Sequence, residues 1–150
     1  MRVAIGCDHG GYPLRQAVIE AVHEAGCELL DFGALSSERS DYSDYAEKVG
    51  CAIQKGEAER GVLICGSGVG ISIAANKLKG IYAAVCHDTY SAHQGVEHDQ
   101  MNVLCLGGLV IGTQLAKELV MAFLKAEFDI VDRHAMRVAK MKKIETEEQK

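Results

Sequence analysis

At 150 residues and 48% hydrophobic, the chain is long enough for one compact domain with a real core, and a single domain over 1–150 is expected. A net charge of −5 excludes a broad nucleic-acid or anionic-membrane footprint, so any basic residues that matter act locally. Six cysteines (Cys7, Cys27, Cys51, Cys65, Cys86 and Cys105) form no C-x-x-C pair and mostly fall in apolar runs, which is the usage of a reducing compartment and not of a disulfide framework or a metal site.

Arg2 to Cys7 reads as a strand that starts almost at the N-terminus, with no signal peptide ahead of it, and no apolar run reaches membrane-spanning length; a cytoplasmic protein is expected. Asp8-His9-Gly10-Gly11 leads into a helix from about Tyr12, with Pro13 in its first turn and Gly26 closing it. Cys27 to Phe32 is a second strand. A polar loop from Ala34 to Ser43, containing Tyr42, precedes a helix from Asp44 to about Lys55. The apolar run Val62 to Ile64 ends at Cys65, passes through Gly66, Gly68 and Gly70, and becomes helical from Ile71 to Lys77. Beyond it lie a strand Ile81 to Cys86, a helix His87 to Glu97, a strand Val103 to Leu106 and helices over Gln114 to Lys125 and Arg133 to Glu148.

Strands alternating with helices over short connections imply βαβ crossovers. The fold class is therefore α/β: a three-layer, Rossmann-like five-stranded parallel sheet with helices on both faces and an extra C-terminal helix. In such a sheet the loops after the strands gather along one edge, which brings Asp8, His9, Tyr42, the turn from Cys65 to Gly70, and His87 to the same side. Glycines at 66, 68 and 70 let backbone N–H groups approach a ligand, and a thiol at the mouth of that field is favoured as thiolate, a base or nucleophile. Cys65 reads equally as a small buried hydrophobe at a strand end. The turn is neither a dinucleotide fingerprint, since Ile71 stands where glycine is needed, nor a Walker loop, since Gly-Lys-Ser/Thr is absent. Arg133 and Arg137, four apart, share a helix face that suits either a phosphate or solvent.

Together, Asp8-His9-Gly10-Gly11, Asp41-Tyr42, the block from Cys65 to Lys77, His98 with Asn102, and Arg133-His134 with Arg137 resemble type B ribose-5-phosphate isomerases. The resemblance runs in order over nearly the whole chain, and the wider family includes galactose-6-phosphate and allose-6-phosphate isomerases. It implies interconversion of an aldose and a ketose phosphate without metal or organic cofactor, by a homodimer or tetramer with sites at the subunit interface. Carried over, Cys65 is the base between C1 and C2, Ser67 assists proton movement between the oxygens, and the amides of Gly66, Ser67, Gly68, Val69 and Gly70 hold the enediolate. His98 opens the sugar ring, Asp8 binds hydroxyls, Tyr42 and Asp99 line the site, and His9, Arg133 and Arg137 hold phosphate, some of them from the partner subunit. Some relatives use a carboxylate where Ile71 stands, which leaves the role to Cys65 here. The chain departs from the family pattern at Asp99 (usually Asn), Leu109 (usually Arg), Ile130-Val131-Asp132 (usually Gly-Gly) and Ser43 (often Pro). The alternatives are a hexose 6-phosphate or other sugar as substrate and, in another class, a non-catalytic phosphate-binding module.

Overall fold

A computed structural model describes residues 1–148. Five strands, β1 (Arg2–Cys7), β2 (Glu28–Asp31), β3 (Arg60–Cys65), β4 (Ala83–Val85) and β5 (Val103–Gly107), form one all-parallel sheet in the order β2-β1-β3-β5-β4. The three inner strands are nearly continuous apolar runs because both of their faces are covered. On one face, α1 (Tyr12–Glu24), α4 (Thr89–Asp99) and α5 (Thr113–Lys125) pack a core around Val18, Leu104, Leu119 and Phe123. On the other, α2 (Tyr42–Gln54) and α3 (Val69–Ala75) enclose Leu63, Ile71, Val49 and Cys105. The helix after β1 and the helix after β3 thus leave the sheet on opposite sides, which makes the ends of these adjacent strands the topological switch point of the sheet.

The sequence places the elements correctly and their ends less so. β4 is shorter than the apolar run from Ile81 suggests, because side chains take over its hydrogen bonds: the Asn102 side chain accepts from Tyr82 N (2.8 Å) and donates to Gly80 O (2.8 Å). Asn76 brackets Ala83 in the same way. α2 begins at Tyr42, two residues ahead of the expected start, so Tyr42 is a first-turn residue and not a loop residue.

α6 (Asp132–Glu148) extends the three-layer body, burying only His134 and Val138. Its root is well fixed. The Arg60 guanidinium at the start of β3 donates to the carbonyls of Phe123 (2.5 Å), Leu124 (3.3 Å) and Ala126 (2.6 Å), satisfying the end of α5. Asp129 N then donates to Glu97 O (2.8 Å), which ties the connection to the last turn of α4.

Asp88 caps α4 by accepting from Ser91 N (2.7 Å), and that bond holds its carboxyl below the usual carboxylate range. The stabilisation is complete above the ordinary carboxylate pKa and is lost as pH falls through the depressed folded value. Asp88→Ala is expected to lower the thermal midpoint at neutral pH, with the gap from wild type closing in acid; a gap independent of pH would remove the charge from this account.

Candidate active site

The switch point between β1 and β3 is built by two glycine-bearing loops in contact. Asp8, 5% exposed at the end of β1, accepts from Gly11 N through Oδ1 (3.0 Å), so its carboxylate organises the turn into α1. A Cβ on Gly10 would lie 2.8 Å from Gly66 N, so only glycine lets the first loop sit against the amide after Cys65. Gly108 N and Leu109 N donate to Cys65 O (2.8 Å) and Gly66 O (3.0 Å), bringing the loop after β5 onto the same turn.

Cys65 closes β3 at 4% exposure, with its flank in the core on the α2/α3 face. Gly68 N donates to its Sγ (3.1 Å), and Gly68 takes φ +81°, the left-handed conformation that turns the chain into α3. Ser67 is exposed; its Oγ accepts from Val69 N (3.2 Å). The first-turn amides of Gly70 and Ile71 have no carbonyl within the helix to meet. Tyr42 lies across the turn, its ring packed on Gly70 so closely that a Cβ there would come within 2.9 Å of Cζ. His9 is exposed and its Nδ1 lies 3.2 Å from both the N and the O of Ser40. The exposed Leu109 side chain stands above Gly66.

His87 belongs to the same edge: Gly107 N donates to its Nε2 (2.9 Å), so that nitrogen is an acceptor, and burial lowers its pKa. It ties the loops after β4 and β5 together. The other thiols of the strands behave as small apolar groups, since burial pushes Cys7 and Cys86 to about 11.

His98, Asp99, Arg133 and Arg137 are elsewhere. α4 starts beside the ends of the strands and runs back toward their beginnings, so its last residues, His98 and Asp99, lie at the opposite edge of the sheet, about 17 Å of strand away from Cys65. α6 starts there too, with Arg133 and Arg137 exposed on its first turns. There His98 stacks on the buried His134, centroids 4.1 Å apart and planes at 26°. Asp99 lines a cavity with Tyr82, Gly95, Met101 and Met141. One chain therefore presents a thiol–carboxylate–hydroxyl half and an imidazole–guanidinium half at two edges. Sequence reasoning named His134 beside Arg133 without giving it a role and missed Gln94, whose only available sign was its position one helical turn before His98. Among the described residues no group of three or more His, Cys, Asp or Glu side chains is arranged to hold a metal, and no helix is long and apolar enough to cross a membrane.

A thiol, a carboxylate and a hydroxyl gathered on a glycine turn at the switch point of a doubly wound parallel sheet define an enzyme of small-molecule chemistry. Residues 3–141 match the ribose/galactose isomerase family. The chain is 46% identical over 144 residues to ribose-5-phosphate isomerase B of Escherichia coli (strain K12), covering 96% of each. It is 39% identical over 130 residues to the D-erythrulose-4-phosphate isomerase of Pectobacterium atrosepticum, covering 86% of each. The solved ribose-5-phosphate isomerase B of Clostridium thermocellum superposes with a TM-score of 0.94 at 47% identity, covering 99% of both chains. The protein belongs to the ribose/galactose isomerase family.

Proposed function

We propose that the protein interconverts ribose 5-phosphate and ribulose 5-phosphate through a cis-enediolate. The observation that carries this reading is the placement of Cys65 Sγ, bonded to Gly68 N–H at 3.1 Å, at the root of the glycine turn beside Asp8. A proton on carbon next to a carbonyl is weakly acidic, so its removal needs a matched base and donors fixed where oxyanion charge develops; one well-placed donor contributes on the order of 3 kcal/mol. Cys65 acts as base, taking the proton from C2 of the open aldose and returning it to C1. Ser67 moves the hydroxyl proton from O2 to O1, and the amides of 66 to 70 hold the charge between these events. Asp8 and Tyr42 bind the sugar.

His98, Arg133 and Arg137 complete this site from a second copy of the chain. Their edge of the sheet is remote from Cys65 within one chain, and a homodimer brings the two halves together twice. There His98 serves ring opening, and the arginines with His9 hold phosphate. The same reading puts the enzyme in the cytoplasm and in the pentose phosphate pathway, a setting that suits its six free thiols.

Solvent deuterium is expected to enter C2 of ribose 5-phosphate during turnover; binding without exchange would reject the isomerase reading of this site. Leu109, 85% exposed over the turn, supplies no cation, which favours as a second reading a different sugar phosphate, a hexose 6-phosphate among them. Comparing kcat/KM across tetrose, pentose and hexose phosphates decides between them, and a preference of tenfold or so for a hexose would replace the pentose.

A further inference from the structure

We infer that Gln94 and Asp99 together fix His98 as the tautomer protonated on Nε2, so that the nitrogen turned away from α4 presents a proton to the sugar. The inference rests on the proposed role of His98 at a sugar ring, and it concerns how the chain prepares that imidazole.

Gln94 precedes His98 by one turn of α4, and its Nε2 lies 3.0 Å from His98 Nδ1 and 3.3 Å from Asp99 Oδ2. An ionised carboxylate only accepts hydrogen bonds. The amide must therefore turn its NH2, and not its carbonyl oxygen, toward Asp99. The same NH2 then faces Nδ1, where it donates. A nitrogen that accepts carries no proton, and neutral imidazole has one to place, so it sits on Nε2. The stacking partner is held in the opposite sense. His134 Nδ1 lies 3.2 Å from the carbonyl oxygen of Asp129, which can only accept, so His134 is protonated on Nδ1. With its ring buried at 2% exposure, His134 gives His98 a fixed plane to lie against at 4.1 Å. The charged and titratable groups on the two elements that meet at His98 include His93, Glu97 and Asp99 on α4, Asp129 just before α6, and Arg133, His134 and Arg137 on its first turns.

Asparagine at position 99 would accept or donate equally and would leave the Gln94 amide free to turn over. Aspartate removes that freedom, which gives one of this chain's departures from the common pattern a physical consequence. Gln94 is a positioning residue: it acts on the substrate only through His98.

The test is ¹⁵N NMR of the histidine side chains in the whole protein at neutral pH, with wild type, Gln94→Glu and Asp99→Asn compared. In wild type, His98 is expected to show a protonated Nε2 and a bare Nδ1. In Gln94→Glu, which keeps the side-chain length but cannot donate, the proton is expected to appear on Nδ1. A wild-type spectrum with Nδ1 protonated, or one unchanged by Gln94→Glu, overturns the assignment. The kinetic arm compares ribose 5-phosphate with an aldotetrose 4-phosphate, which cannot close a furanose ring because its O4 is esterified. Gln94→Glu is expected to lose on the order of tenfold more kcat on the pentose than on the tetrose; equal losses overturn a role at the ring. The NMR arm needs no turnover, so failure of the isomerase reading, seen as no deuterium exchange in wild type, is distinguishable from failure of this one.

Discussion

Cys65→Ala is expected to lower kcat by about 10³-fold and to abolish entry of solvent deuterium at C2, while the protein stays folded. The change removes one sulfur from a strand end flanked by the glycine turn on one side and the α2/α3 core on the other, and the cost in stability is on the order of 1 kcal/mol. No nearby group can stand in for the lost base. Ile71 is fully buried and has nothing to protonate. Cys105 lies on the adjacent strand but is completely enclosed, and burial holds its thiol well above the usual range. Asp8 is anchored through Oδ1 to Gly11 N–H and is assigned to the sugar hydroxyls. Circular dichroism and the thermal midpoint report the fold, and proton NMR of recovered aldose reports exchange. Exchange at the wild-type rate in the folded variant would move the base away from this sulfur.

The second large effect is a recovery. Cys65→Ala and His98→Gln are each expected to be nearly inactive alone, yet mixed and reassembled they should regain about a quarter of wild-type activity. Random pairing makes half of the dimers mixed, and each mixed dimer carries one site with both defects and one with neither. The expectation follows from the separation of the two residues across the sheet: β3 runs to Cys65, whereas α4 runs back to His98. Differently tagged chains isolate the mixed species. Mixed dimers that remain at background would mean that each site is built within one chain.

The sheet and its helices could be read from the sequence because inner strands buried on both faces have an unmistakable composition: Val3 to Cys7, Val62 to Cys65 and Val103 to Leu106 are apolar throughout. The shared edge of the thiol half of the candidate site was equally legible. Its residues follow strands, and strand ends in a parallel sheet share an edge whatever the strand order. The imidazole half was not, since its position depends on where α4 stops and where α6 starts, and neither is written in local periodicity. The shortening of β4 was hidden for a similar reason, because Asn102 reaches back 20 residues to Tyr82 N. Gln94 escaped notice and His134 was given no role of its own, because an amide in a helix and a histidine near its start are ordinary until their geometry is seen.

Arg60 and Cys65 occupy the two ends of the same six-residue strand. The first moors the segment leading into the C-terminal helix and the second is the proposed base, so β3 works as a gauge block between them. In the proposed dimer, where one chain's helix meets the other's thiol, this strand sets the spacing between the two. Evolution can lengthen the 126–131 connection or redecorate α6 and keep that spacing. A residue added or dropped within β3 shifts one end against the other and turns every later side chain to the opposite face of the sheet.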